Sequence, residues 1–402
     1  MDFSEIKKKI FGAHNQPLCL YPHMNILMTA DGRYKPCCRW SETLSDNGRE
    51  LSVDQGDSLK DAWNSTELQQ LRLDMLNGKK NRKCSACWEE EKSGIKSMRH
   101  DSFNYGYTYS EKSSKKSGPI RLDIYPSNRC NLRCRICSAD YSTGWINESK
   151  ETLGIEGKHH VNLSIENWEQ IESWLPDVVE IGLFGGEPLY NKDCVELLNM
   201  MVEKGRSSKI SLLINTNGTI YSSELVNLFK KFKKVILNFS IDNLGEKFEY
   251  ERKGGNWNKT VEVLKNYLAQ GGVKHQSQIE CKICCTVSAF NAYNLPETVE
   301  WVRKELHPGM KIYLNILHGP MSLSLRNLPE KAKELIVNRL MQSHGEKGGE
   351  QEQYKSFGDI VNFTSLQPEM QDDAFLKEIE RGDKYRKENY AVVYPAMHAS
   401  LF

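Results

Sequence analysis

The sequence predicts an α/β fold: an open, partial (β/α)6 barrel with a small α+β domain before it and a helical extension after it. Three observations carry this. Between residue 119 and about residue 320, six short apolar segments alternate with amphipathic helical ones. Strands joined through helices run parallel, and six units are too few to close an eight-stranded barrel, so ligands are expected at the carboxyl ends of the strands. Eight of the twelve cysteines cluster, five before residue 90 and three within eight residues just after the first strand.

The elements follow in order. Asn25-Ile-Leu-Met-Thr-Ala-Asp-Gly-Arg-Tyr alternates and turns on Asp31-Gly32, a hairpin signal. Residues 61–76 place Trp63, Leu68, Leu71 and Met75 at helical spacing, with Gly78 as a stop. The polar, Ser/Lys-rich stretch 101–118 reads as a linker. Strands are expected at 120–126, 178–184, 209–216, 234–241, 278–287 and 311–317, with helices at 167–175, 194–204, 222–232, 257–270 and 295–306. Beyond 320, helices are expected at about 329–345 and 369–388, with a charged loop (EKGGEQEQ) between them. The domains so defined are 1–100, 101–118 (linker), 119–320 and 321–402, and the sequence has no internal repeats.

Composition narrows the function. The chain has 402 residues, with 54 Lys+Arg against 53 Asp+Glu. That balance argues against electrostatic capture of nucleic acid or anionic lipid. The basic clusters at Lys7–Lys9, Lys79–Lys83 and Lys112–Lys116 lack interleaved aromatics and read as solvated surface or linker. No apolar run reaches the roughly 18 residues of a membrane span, and the N-terminus lacks the apolar core of a signal peptide. The expected compartment is the cytoplasm, where thiols stay reduced. Twelve cysteines there point to metal binding or catalysis rather than disulfides.

Cys130-Asn-Leu-Arg-Cys134-Arg-Ile-Cys137 is a Cys-x3-Cys-x2-Cys loop directly after the first strand. Thiolates are soft ligands for iron–sulfur clusters, and three of them can hold three irons of a [4Fe–4S] cube while leaving the fourth open. Zinc needs four ligands, and the loop offers no fourth; His159 and His160 lie more than twenty residues away. Buried structural cysteines are the plainer reading, but they leave three thiols in eight residues beside Arg129, Arg133 and Arg135 unexplained.

With this spacing at this place in a partial β/α barrel, the chain resembles the radical S-adenosylmethionine (radical SAM) enzymes. The resemblance implies a partial (β/α)6 radical SAM barrel and a [4Fe–4S] cluster whose open iron chelates SAM. It also implies reductive cleavage of SAM to a 5′-deoxyadenosyl radical, which abstracts hydrogen from a substrate. One departure is Ile136, where the family usually has an aromatic residue. Phe184-Gly185-Gly186-Glu187-Pro188, one β/α unit later, looks like the family's methionine-binding motif: the glycines permit close backbone approach, and Glu187 offers a carboxylate to the ammonium. Asn215 and Ser240, at the ends of strands three and four, offer polar groups to SAM or substrate, with turn chemistry as the alternative. Arg252 stands where related enzymes pair an Arg-Gly with the SAM carboxylate, but Lys253 interrupts that motif.

The hairpin brings Cys19 and Cys37 together, and the helix after it returns the chain so that Cys84 and Cys87 close a four-thiolate site, for zinc or an Fe–S cluster. Cys19-x12-Gly32-x4-Cys37 is similar to the opening signature of the SPASM and twitch auxiliary-cluster domains, which implies a second [4Fe–4S] cluster with no open iron. Those modules usually follow the barrel; here it precedes it. Cys38 is left over. Cys281 and Cys285 share one strand face and Cys284 the other, so they read as core residues, and any thiol facing the barrel interior is a candidate hydrogen-atom donor.

The expected function is oxidation or bond formation on a small-molecule or peptide substrate, with the auxiliary cluster as electron acceptor and a flavodoxin or ferredoxin as donor. Radical epimerisation is the alternative, and a non-catalytic Fe–S or zinc sensor or scaffold is the reading from another class. No catalytic side chain, and no substrate, is assigned from the sequence.

Overall fold

The computed structural model describes residues 17–103, 118–160, 176–347, 352–371 and 373–401. The chain opens with a hairpin. β1 (Asn25–Met28) pairs antiparallel with β2 (Tyr34–Lys35), turning where Gly32 has φ 76°, a conformation glycine enters freely. The helix expected over 61–76 is two helices, α1 (Leu59–Asn64) and α2 (Thr66–Leu76). Buried Ser65 is the reason: its backbone is extended, and its hydroxyl accepts from Leu68 N at 3.4 Å, capping α2. α3 (Ser85–Lys92) follows. Residues 98–103 are also helical, and buried Ser102 bonds to Leu20 N at 3.1 Å, so ordered packing continues past residue 100. Residues 104–117 of the expected linker lie outside the described residues.

Six strands then appear in the expected places: β3 (Arg121–Ile124), β4 (Glu180–Leu183), β5 (Ser211–Thr216), β6 (Lys234–Ser240), β7 (Ile279–Val287) and β8 (Ile312–Ile316). Each pairs parallel with the next. Along β5 and β6, half-buried and buried residues alternate, so one face lines a hollow and the other packs under helices.

The N-terminal hairpin does not form a sheet of its own. β1 lies parallel to β3, Asn25 opposite Arg121 and Met28 opposite Ile124, and the sheet runs β8-β7-β6-β5-β4-β3-β1-β2. An exposed edge of β3 would leave a row of unpaired peptide groups, and the hairpin covers it. Ile26, Trp40 and Leu68 share one core with Leu122, Ile181 and Leu212. The same module also reaches the far edge of the sheet, where His318 Nε2 lies 2.6 Å from Glu90 Oε1 and Arg39 Nη2 donates to Asn315 Oδ1 at 3.1 Å.

The crossover helices include α4 (Ile146–Leu153), α5 (Lys192–Glu203), α6 (Ser223–Phe229), α7 (Gly245–Glu251), α8 (Trp257–Gln270) and α9 (Leu295–Trp301), the last continuing as a π-turn over Val302–Leu306. The helix expected at 167–175 lies outside the described residues. The C-terminal part is helical, with α10 (Glu330–Lys347), α11 (Glu352–Thr364) and α12 (Ala374–Arg386). α11 begins inside the segment read as a charged loop. Its Gly358, Val361 and Thr364 are weak helix formers, and burial of Phe357, Ile360 and Phe363 in a second core supplies what propensity does not. Among the described residues, no helix is long and apolar enough to cross a membrane.

Candidate functional site: two groups of thiols around the barrel

The loop after β3 is braced from three sides. Arg133–Cys134 forms a two-residue ladder with Arg252–Lys253, Arg135 N donates to Glu251 O at 2.7 Å, and Trp145 Nε1 donates to Cys134 O at 2.7 Å. Cys130 Sγ accepts from Leu132 N at 3.4 Å, and Arg252 Nη1 stands 3.7 Å from Cys134 Sγ. Burial pushes all three thiols up, Cys130 to about 12, and each of Cys130 and Cys134 raises Cys137 further. Three mutually repelling thiols in a buried loop become thiolates only beside a strong positive charge, which a metal cluster supplies. The loop fits the group.

Glu187 is buried and accepts three hydrogen bonds from the protein: Oε1 from Leu189 N (3.0 Å) and Thr216 Oγ1 (2.9 Å), and Oε2 from Asn217 N (2.6 Å). Burial raises its carboxyl to about 7 against these donors. It ties the end of β4 to the end of β5. Gly185 and Gly186 have φ 69° and 56°, and a Cβ on Gly186 would stand 2.3 Å from Arg129 O. The close approach that requires glycine is therefore to the cysteine loop itself.

Arg252 pairs with Asp242 at 2.5 Å, and Asp242 also accepts from Thr286 N at 2.8 Å. Arg252 Nε and Glu251 Oε2 are buried and, among the described residues, have no hydrogen-bond partner. Asn215 accepts from Asn238 at 3.0 Å on the inner face. Ser240 lies opposite Cys284, and Cys284 opposite Tyr313, on adjacent strands of that face. Cys281 and Cys285 are buried on the other face, as strand alternation requires.

The sequence reading missed the clamp over this loop. Arg135 reaches both Asp383 and Glu388 at 2.6 Å and stacks 3.7 Å over Tyr250. Lys253 pairs with Glu388 at 2.8 Å, so the residue that interrupts the Arg-Gly motif bonds the C-terminal segment. Arg386, wholly buried, bonds Glu148 at 3.0 Å. Nothing local to Asp383 or Glu388 marks them, because their partners lie between 133 and 253 positions earlier.

Cys19, Cys37, Cys84 and Cys87 also converge. Cys37 is raised well above its ordinary value, first by burial and then by the charges of Cys38, Cys19, Cys87 and Cys84. Burial likewise raises Cys19 and Cys84 to about 12, and Cys87 to about 11. Cys84 and Cys87 sit at the N-terminus of α3, whose free N–H groups favour thiolates. Among the described residues, no three His, Cys, Asp or Glu groups are arranged to hold a single metal ion. A polynuclear cluster spreads its thiolates more widely than one tetrahedral ion does, and this group of thiols fits it. Cys38, unlike Cys19 and Cys87, is exposed, and its Sγ lies 3.5 Å from Met98 Sδ.

Residues 124–302 match the radical SAM superfamily, and residues 19–88 match SPASM, the iron–sulfur cluster-binding domain. The chain carries a radical SAM domain with a SPASM-type domain ahead of it, and these domains imply a [4Fe–4S] cluster, SAM and an auxiliary Fe–S cluster. A GTP 3′,8-cyclase of Syntrophomonas wolfei is 29% identical over 197 residues, 48% of this chain and 54% of that protein. A radical SAM cyclopropyl synthase, TigE, of Paramaledivibacter caminithermalis is 29% identical over 193 residues, 44% of this chain and 40% of that protein. The chain thus spans about half the length of the curated relatives it matches. Among solved structures, AdoMet-bound anSMEcpe is 18% identical with a TM-score of 0.44, covering 57% of this chain and 61% of that one. Streptococcus suis SuiB bound to its precursor peptide SuiA is 17% identical with a TM-score of 0.41, covering 66% and 60%.

Proposed function

We propose that the chain cleaves SAM reductively at a cluster held by Cys130, Cys134 and Cys137, and abstracts hydrogen from a small-molecule or peptide substrate in the barrel. The carrying observation is the convergence of these three thiols with the Arg252–Asp242 pair at the carboxyl ends of the strands. When bound, the cofactors supply the electron and the 5′-deoxyadenosyl radical. The protein supplies position. Arg252 and the backbone at Gly185 and Gly186 bound the SAM pocket, Glu187 holds β4 and β5 in register around it, and Asn215 and Ser240 present polar groups from the inner face. Cys19, Cys37, Cys84 and Cys87 hold the second [4Fe–4S] cluster as acceptor for the electron left on the substrate.

The reaction we favour is oxidation or bond formation at an unactivated C–H. The relatives named above are a GTP cyclase and a cyclopropyl synthase, both ring-forming. A flavodoxin or ferredoxin in a reducing compartment, the cytoplasm, is the matching electron donor. A second reading, redox-neutral epimerisation, is favoured by Cys284, whose thiol lies on the inner face between Ser240 and Tyr313.

Anaerobic reconstitution followed by dithionite and SAM tests the reading: 5′-deoxyadenosine forms with the intact protein and not with Cys130→Ala. Failure of the reconstituted protein to form it would sink the enzyme reading. Deuterium from solvent at the product carbon selects epimerisation, and a product two mass units lighter selects oxidation.

A further inference from the structure

Among the described residues, β8 is an edge strand of the sheet with no neighbour beyond it. Two hydrogen bonds fix which way its peptide groups point: Ile283 N donates to Lys311 O, and Leu317 N donates to Val287 O. Odd-numbered residues therefore face β7, whereas Ile312, Leu314 and Ile316 direct N–H and C=O away from the sheet. Among the described residues, none of these outward groups has a partner.

A cavity of about 410 Å³ runs along this edge. Every residue from Lys311 to Ile316 lines it, with Glu90 and Met98 of the N-terminal module on one side and Asp359 and Ile360 of α11 on the other. Glu90 is 4% exposed. Its Oε1 is shared by Arg39 and His318, and among the described residues its Oε2 has no partner. The two faces of the strand differ. Tyr313 and Asn315 turn to the barrel interior beside Cys284 and Arg39, and Ile312, Leu314 and Ile316 pack on the second core.

Unpaired donors and acceptors at strand spacing are matched by another extended backbone, and an added strand would present alternate side chains to the barrel interior. We propose that the free edge of β8 binds an extended segment of a peptide substrate as a further strand; this rests on the enzyme reading above. Three strand spacings of about 4.8 Å separate the added strand from β6, where Ser240 leads to Asp242 and Arg252. A peptide entering the barrel covers that distance in about four or five residues, so the bound segment is distinct from the residue modified.

The test uses the reconstituted full chain and a displayed library of random dodecapeptides, with selected peptides then synthesised and labelled for fluorescence anisotropy. Leu314→Pro removes an outward N–H without touching the ladder to β7, and is expected to weaken binding about five- to tenfold, whereas Leu314→Ala changes it less than about twofold. N-methylation along the peptide is expected to abolish binding at every second position of the paired segment. The amides of Ile312, Leu314 and Ile316 are expected to exchange fast in the free protein and slowly with peptide. Absence of any selected binder, N-methyl effects without a period of two, or insensitivity to Leu314→Pro would overturn the proposal. So would outward amides already protected in the free protein, which would show the edge covered by this chain or a second copy. If Leu314→Pro loses iron or melts early, the N-methyl series on the unaltered protein decides. Formation of 5′-deoxyadenosine without peptide is measured alongside, so failure of the enzyme reading registers separately.

Discussion

The two thiol groups in this molecule are built on opposite plans. Cys19 belongs to the main core and Cys37 and Cys84 pack against it, among Leu and Trp side chains, with Cys87 buried; as the four proposed ligands they would leave no coordination position open. Cys130, Cys134 and Cys137 lie on a loop at the barrel mouth beside Arg252, Asp242 and Asn217. Their site is open on one side and is held from outside by Arg135, Asp383 and Glu388. A site closed by its own ligands is stabilised by burial, and a site that must admit a ligand needs bracing elsewhere in the chain. The C-terminal helices provide that bracing.

The sharpest way to break the comparison is to remove each set of thiols. Replacing Cys130, Cys134 and Cys137 by Ala is expected to abolish SAM cleavage and remove about four irons per chain, leaving the rest in place. Replacing Cys19, Cys37, Cys84 and Cys87 should remove the other irons, about four, and lower the melting temperature, while SAM cleavage stays within about tenfold of the intact protein. Equal loss of cleavage in both variants would show that the two sites are not independent.

The clamp comes next. Arg135→Ala leaves Asp383 and Glu388 without their buried cation and is expected to destabilise the fold by about 3 to 5 kcal/mol in urea titrations. The same variant should release the barrel cluster to a chelator before the auxiliary one; simultaneous release would contradict the bracing role.

A smaller effect is pH-dependent. Burial, then the charge of Asp242, raises Glu251 from 4.5 to about 7. A carboxyl whose folded value exceeds its unfolded one favours folding at low pH, and that contribution is lost as pH rises through about 7. Between pH 5.5 and 8 the loss is about 2 kcal/mol, and Glu251→Gln should erase it. A variant whose urea midpoint keeps the same pH slope would rule Glu251 out as the cause. Ser65→Ala, which uncaps α2 far from the barrel mouth, should cost about 1 kcal/mol and leave SAM cleavage unchanged.

Much of the molecule was legible because its signals are local. The six parallel strands, the Asp31-Gly32 turn and the alternation that separates Cys284 from Cys281 and Cys285 each follow from periods of two or a few residues. The spacing of Cys130, Cys134 and Cys137 survives folding because a loop of eight residues cannot carry them far apart. Ser65 shows the limit of such reasoning, since apolar spacing runs straight through 61–76 while one buried hydroxyl divides the helix. α11 shows the converse, a weak local pattern made helical by the core it joins.

The sequence alone thus determined the fold class, the places of the six parallel strands and the spacing of the thiols, because these depend on covalent spacing and short-period burial. Tertiary structure alone decided that β1 extends the barrel sheet, that Glu187 ties two strands together, and that Arg135 meets Asp383 across some 250 residues. It also decided that, among the described residues, the outward peptide groups of β8 stay unpaired. Edges, clamps and orphaned polar atoms are properties of what lies beside a residue in space, and no local pattern records that.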